Sequence, residues 1–310
     1  MQQRAAARRG AGAPALSPRL LGTVLALASA TGFGVMPVLT KVAYDDGAAV
    51  AGVLSVRFTL AALVLLALAR WRGEALPRGR KAVQLFLLGA VGYVVESACY
   101  FAALTRISAG LTALLLYAYP ALVVLLSAVL ARRAPGRVPA VCVVVATVGT
   151  ALTIGPVAGG QWTGVLLGLA AAVAYSTYIV VSARVVVGVG PFATSAVVMA
   201  GAALVYDGYA GVTGAALPST GEAWWAVLGV ALLGTVVAVT AFFWALELLG
   251  PADTAVISTF EPVVSVVAGA LVLGESLTVL QLAGGALVLT AVAVLARSPG
   301  TAPAVPLDVG

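Results

Sequence analysis

Ten apolar runs, each near the length of a bilayer crossing and separated by short polar breaks, restrict this chain to a bundle of membrane helices. They cover 20–40, 48–69, 82–104, 107–130, 138–154, 161–183, 191–212, 224–246, 254–273 and 277–296. A bilayer helix takes about 20 apolar residues, and in lipid the backbone of each crossing must satisfy its own hydrogen bonds, which a helix does. A mean hydropathy of +1.11 with 9% charged residues leaves no charged shell for a soluble core. The least secure runs are 138–154, short and ending at Gly155-Pro156, and 191–212, which carries Asp207 and several glycines.

The runs repeat at an offset of 142 residues. Gly22, Leu25, Leu27, Ala28 and Ala30 lie over Gly164, Leu167, Leu169, Ala170 and Ala172. Phe101-Ala-Ala-Leu104 lies over Phe243-Trp-Ala-Leu246, Thr112-Ala113 over Thr254-Ala255, and Pro120 over Pro262. Identities between apolar helices arise by chance; one offset that aligns a glycine, a Phe-x-Ala-Leu and a mid-span proline is a stronger signal. Five is an odd number, so a repeat of five crossings ends on the side opposite its start and its copy runs inverted. Inverted repeats related by an axis in the membrane plane are a common basis for alternating access, with substrate held at their interface near the midplane. The expected fold is an all-α polytopic membrane protein of ten transmembrane helices in two inverted five-helix repeats, 20–156 and 160–297. The flanks, 1–19 and 298–310, are expected to be a cytoplasmic tail and a disordered tail.

Charge sorts by membrane side. With the N-terminus inside, fourteen of the 17 Lys and Arg residues fall on inner segments, Lys41 and Arg106 fall outside, and Arg57 lies within a run. This is the positive-inside asymmetry; it accounts for the net charge of +6 without nucleic acid and puts both termini in the cytoplasm. Arg8-Arg9, the following apolar run and Ala28-Ser29-Ala30 also fit a secretory signal with its cleavage site. Against that, the run continues to Thr40, well past a signal core of 7–15 residues, and cleavage would delete the counterpart of the Gly164 run.

Chemistry on the chain itself is not expected. Histidine is absent, Cys99 and Cys142 both lie in apolar runs, and no P-loop occurs. No metal site, hydrolase triad, nucleotide hydrolysis or cofactor is therefore expected.

Pro37-Val-Leu-Thr-Lys41, Arg57-Phe58, Phe101-Ala-Ala-Leu104, Tyr119-Pro120, Phe260-Glu261-Pro262-Val263, Leu273-Gly274-Glu275 and Gly284-Gly285 together resemble the EamA-like transporters of the drug/metabolite transporter superfamily, over 20–297. The resemblance implies two five-helix repeats and export of small metabolites or drugs through a central cavity.

Three charges lie deep in apolar runs, Arg57, Glu96 and Glu261. A charge at the centre of a membrane helix costs about 2.5–3.5 kcal/mol on insertion scales, so each needs a partner or a task. Glu261 precedes Pro262, which has no N–H and frees the carbonyl of Ser258; it is either a carboxylate for a proton or substrate ammonium, or a hydrogen-bonded acid at the kink. Pro120 repeats the kink with Tyr119 in place of the acid, which makes an acidic wall face a phenolic one. Arg57 and Glu96 either neutralise each other or present Arg57 to a substrate carboxylate. Lys41 lies nearer an end and reads as an anchor or gate charge. Among the aromatics, Tyr119 and Phe260 adjoin the kinks and are candidates for cavity lining, with Tyr100 and Tyr175 in neighbouring runs. Trp162, Trp224 and Trp225 open their runs and read as interfacial residues, whereas Gly22, Ala26, Gly164 and Gly168 allow close helix crossing.

The functional expectation is a secondary transporter, monomeric or homodimeric, that exports small amphipathic metabolites such as amino acids, with protons as the candidate coupling ion. A cationic drug exporter and a non-transporting membrane assembly subunit are the alternatives.

Overall fold

The computed structural model describes residues 17–132, 134, 136–154, 161–186, 188–249, 254 and 257–297. The expected tails, apart from 17–19, and the break at 155–160 lie outside the described residues. Among the described residues every regular element is helical: α1 (Pro18–Asp45), α2 (Val50–Trp71), α3 (Gly79–Leu104), α4 (Ala109–Leu116), α5 (Tyr119–Ala131), α6 (Arg137–Ile154), α7 (Trp162–Val185), α8 (Pro191–Thr213), α9 (Gly221–Ala231 and Ala238–Leu249), α10 (Phe260–Leu273) and α11 (Val279–Arg297). Seven segments are long and apolar enough to cross a membrane, with α4 and α5 counted together, and α6, α10 and α11 are shorter apolar helices.

The surface explains the composition. Val91, Val95, Leu166, Val173, Leu204, Val212 and Leu271 are exposed, whereas Arg57, Glu96, Thr112, Thr153, Thr235 and Ser265 are buried. A chain that turns its aliphatic side chains outward and its polar ones inward is matched to lipid, and this is a multi-pass membrane protein.

Two features went beyond the apolar pattern. The run 107–130 is two helices, broken at Tyr117 and Ala118 just before Pro120. Residue 259, 142 positions beyond Tyr117, forms the matching turn before α10, so both prolines sit in the first turn of a helix, where a missing N–H costs little. In addition, α3 and α9 each contain one π-helical turn, Leu88–Tyr93 and Leu232–Val237. The extra residue in such a turn re-aims the side chains around it.

Small residues set the helix crossings, as expected. A Cβ on Gly164 would lie 2.8 Å from Ile107, one on Gly168 2.9 Å from Leu115, and one on Gly22 2.7 Å from Leu249. Tightest is Gly89 in the first π turn, where a Cβ would run into the Val198 carbonyl oxygen of α8. Asp207, the residue that weakened the seventh run, accepts from Ser55 and from Thr59, the latter at 2.8 Å, and ties α8 to α2.

Acidic residues in the connections hold the two ends of the bundle. At one end Glu275 accepts from the first backbone N–H groups of α4, 2.9 Å from Ala109 and 3.4 Å from Gly110, and pairs with Lys41 at 3.2 Å. Gly274, at φ +64°, turns the chain after α10 so that Glu275 can reach back. The same end holds Asp46, whose carboxylate accepts from the Ser219 N–H at 2.7 Å. At the other end Glu74 accepts from the Ala193 N–H of α8 at 2.7 Å, and the Lys81 ammonium donates to the Val185 carbonyl at 2.7 Å. A helix N-terminus leaves unbonded N–H groups and a partial positive charge, and at α4 and α8 a carboxylate from another connection satisfies them.

Candidate functional site

A cavity of about 90 Å³ lies within the bundle. The breaks and π turns described above build it. Tyr117 and Tyr119 enter from the break between α4 and α5, Tyr93 from the first π turn, Glu96, Tyr100 and Phe101 from α3 beyond it, and Glu261 from the first turn of α10. Phe33 and Met36 of α1, Arg57 of α2, Leu116 of α4 and Tyr175 of α7 complete the wall.

Arg57 is 2% exposed. Its Nε donates to the Thr235 hydroxyl at 3.0 Å, and its guanidinium carbon lies 4.9 Å from the Phe58 ring centre and 5.0 Å from that of Phe101. Thr235 belongs to the second π turn and donates in turn to the Val230 carbonyl at 2.9 Å. Arg57 and Glu96 share the cavity, yet among the described residues no direct ion pair joins them; a hydroxyl and two aromatic faces hold the delocalised guanidinium.

Glu261 meets Tyr117. The Tyr117 hydroxyl donates to the Ser258 carbonyl at 2.6 Å and lies 3.0 Å from Glu261 Oε2. The carbonyl freed by Pro262 is thus satisfied by a phenol from the other half of the chain. Nearby, the Ser176 hydroxyl contacts the Tyr119 carbonyl at 3.2 Å. Tyrosine rings run in sequence from Tyr93 through Tyr178, Tyr175 and Tyr119 to Tyr117, with centres 5.4, 6.1, 4.8 and 5.9 Å apart.

Of the residues singled out from sequence, Glu261, Arg57, Glu96, Tyr119, Tyr100 and Tyr175 come together at this cavity. Phe260 does not: it is 43% exposed and outside the lining. Adjacent residues on a helix point about 100° apart, so with Glu261 turned inward its neighbour faces away. Lys41 also lies outside the cavity, in its pair with Glu275 at one end. Pro120 and Pro262 stand at the two breaks. Sequence reasoning did not single out Tyr93, because nothing in the pattern marked the π turn that aims it. It likewise passed over Tyr117, although this residue stands next to the kink and opposite Ser258, the carbonyl that Pro262 was expected to free.

Two stretches of the chain, 20–155 and 162–297, each match the model of the EamA-like transporter family. The chain belongs to that family. Each half of this EamA-like chain is therefore a domain of the drug/metabolite transporter superfamily. A solved crystal structure is 21% identical to it, covers 88% of this chain and 95% of its own, and has a TM-score of 0.64, a likeness that shows the fold. No curated protein matches the chain. With both halves accounted for by one transporter family, the cavity between them is the candidate substrate site of this EamA-like transporter.

Proposed function

We propose that the protein is a secondary carrier that exports small amphipathic metabolites, with amino acids as the favoured class, by alternating access between the units 20–156 and 160–297. The observation that carries this reading is the cavity itself, in which one guanidinium, two carboxylates and a row of phenols converge from both halves of the chain. A guanidinium can accept a substrate carboxylate, Glu96 or Glu261 an ammonium, and the tyrosine faces an apolar side chain. A panel of labelled amino acids tested with purified protein in liposomes decides it: gradient-dependent movement of at least one member supports the reading, and movement of none removes the amino-acid class.

A second reading, a cationic drug exporter, is favoured by the hold of Thr235, Phe58 and Phe101 on Arg57, which leaves two carboxylates facing the cavity. Transport of organic cations without competition from amino acids selects it.

Ten crossings in an inverted arrangement, both termini cytoplasmic, in a bacterial inner membrane, complete the proposal. Its support is the basic asymmetry of the sequence together with the meeting of the connections at two opposite ends of the bundle, Asp46 with Ser219 and Ala109 with Glu275 at one, Glu74 with Ala193 at the other. Reporters fused in 72–78 and in 214–220 are expected to label from opposite sides, the first from the cytoplasm; labelling from one side removes the arrangement.

A further inference from the structure

Tyr117 has one hydroxyl hydrogen and two oxygen neighbours that want it. The Ser258 carbonyl, at 2.6 Å, can only accept, and Pro262, four residues on, has no N–H to give it. The single phenolic hydrogen can serve only one of the two oxygens at a time, and with the hydrogen on the shorter contact it serves Ser258. The second neighbour, Glu261 Oε2 at 3.0 Å, then meets a phenol oxygen with no hydrogen left to offer. Both contacts can be hydrogen bonds at once only when a second hydrogen sits on the carboxyl, that is, when Glu261 is neutral. When Glu261 loses its proton to the cavity, its carboxylate becomes the stronger acceptor, and the phenol can serve it only by leaving the Ser258 carbonyl.

We infer that Tyr117 is a positioning residue that converts the protonation state of Glu261 into the state of the turn before α10, by handing one hydrogen to Ser258 when Glu261 is neutral and to Glu261 when it is charged. The inference rests on the proposed carrier, with protons as its coupling ion and Glu261 taken as the carboxylate for the proton rather than for a substrate ammonium. The counterparts of Tyr117 and Glu261 at an offset of 142 are Thr259 and Tyr119; that pair carries no carboxyl, so a phenol–carboxyl exchange is not open to it.

Other groups facing the cavity set the field in which Glu261 titrates: Tyr93, Glu96 and Tyr100 from α3, Arg57 from α2, Tyr119 from α5 and Tyr175 from α7, while α1 contributes Phe33 and Met36, which do not titrate. Within this set only Tyr117 is within hydrogen-bond distance of the Glu261 carboxyl.

The test needs no substrate. Purified full-length protein in nanodiscs, with Cys99 and Cys142 replaced by alanine, carries spin labels at Leu63 of α2 and Val267 of α10, both exposed. Proton uptake per protein and the label distance are followed across pH. The native side chains are expected to give one proton that Glu261→Gln lacks, accompanied by a distance shift that the same variant also lacks. Tyr117→Phe is expected to retain the proton and lose the shift, an uncoupling that a packing role for the ring would not produce. A Tyr117→Phe protein that keeps the shift overturns the inference. If Tyr117→Phe does not fold, Pro262→Ala decides: it gives residue 262 an N–H for Ser258, frees the phenol for Glu261, and is expected to abolish the shift with Tyr117 intact, while an unchanged shift overturns the inference. A proton and shift that survive in Glu261→Gln defeat the reading of Glu261 itself, an outcome distinct from the others.

Discussion

The two halves of the chain share a skeleton and differ in chemistry. Both break a helix before a proline and both put a π turn in their third helix; at an offset of 142, Tyr93 of the first π turn corresponds to Thr235 of the second. Tyr93 lines the cavity and Thr235 holds Arg57, so the same backbone device serves the same site from both sides. Yet ten of the twelve lining residues come from the first half, and the second supplies only Tyr175 and Glu261. The counterparts of Arg57 and Glu96 are Met199 and Ala238. The geometry that makes the cavity recurs in both halves, whereas the charge does not: Arg57 and Glu96 come from the first half and Glu261 from the second.

The sharpest way to break this comparison is through backbone contact. Gly89→Ala is expected to cost at least about 3 kcal/mol and to abolish accumulation of folded protein, because the methyl meets the Val198 carbonyl. Its counterpart Ala231 already carries a Cβ, so Ala231→Gly should cost only about 1 kcal/mol; thermal unfolding in detergent compares the two. Next, Glu261→Gln should fold normally yet lose about 100-fold in proton-driven transport, equivalent to about 2.7 kcal/mol, whereas Tyr119→Phe at the matching break should lose less than tenfold. Equal losses would mean that the two walls are not chemically distinct.

Arg57→Lys should lower stability by about 1–2 kcal/mol, since an ammonium cannot keep both aromatic faces and the Thr235 bond, while Met199→Leu at the counterpart position should cost less than about 1.5 kcal/mol. The end caps come after these. Glu275→Gln and Glu74→Gln should each cost about 1 kcal/mol, the former more because Lys41 also loses its partner. The smallest effect concerns Asp46, whose carboxyl is held below its ordinary range, first by the Ser219 backbone N–H and then by further bonds to Ser219 and Thr220. A depressed value in the folded state gives stability that is present above the ordinary carboxylate range and fades as pH falls through the folded value. Asp46→Asn should flatten the acid limb of the unfolding curve.

The membrane class and the helical runs were legible because hydrophobicity at bilayer length has few other solutions. Glu261, Arg57 and Glu96 were legible as a group because charge inside lipid demands explanation. The partner of Arg57 was not legible: depth along a helix says nothing of azimuth, so the opposite signs of Arg57 and Glu96 leave their pairing open, while the Arg57 bond goes to Thr235, 178 residues away. Phe260 failed for the same reason. Glu74 carries no signal in the sequence, and Glu275 stands out only within Leu273-Gly274-Glu275 of the family resemblance, since a side chain that caps a remote helix leaves no local pattern.

The caps by Glu275 and the hold of Thr235 on Arg57 also impose a timetable on biosynthesis. Ala109 and the carboxylate that bonds it are 166 residues apart, and at about 5–20 residues per second of synthesis the N-terminus of α4 waits about 10–30 s for its partner. During that interval the first half already stands in the bilayer with Arg57 lacking its hydroxyl and α4 lacking its acid. The first half made alone should therefore be cleared by membrane proteases, and supplying the second half as a separate chain should rescue it.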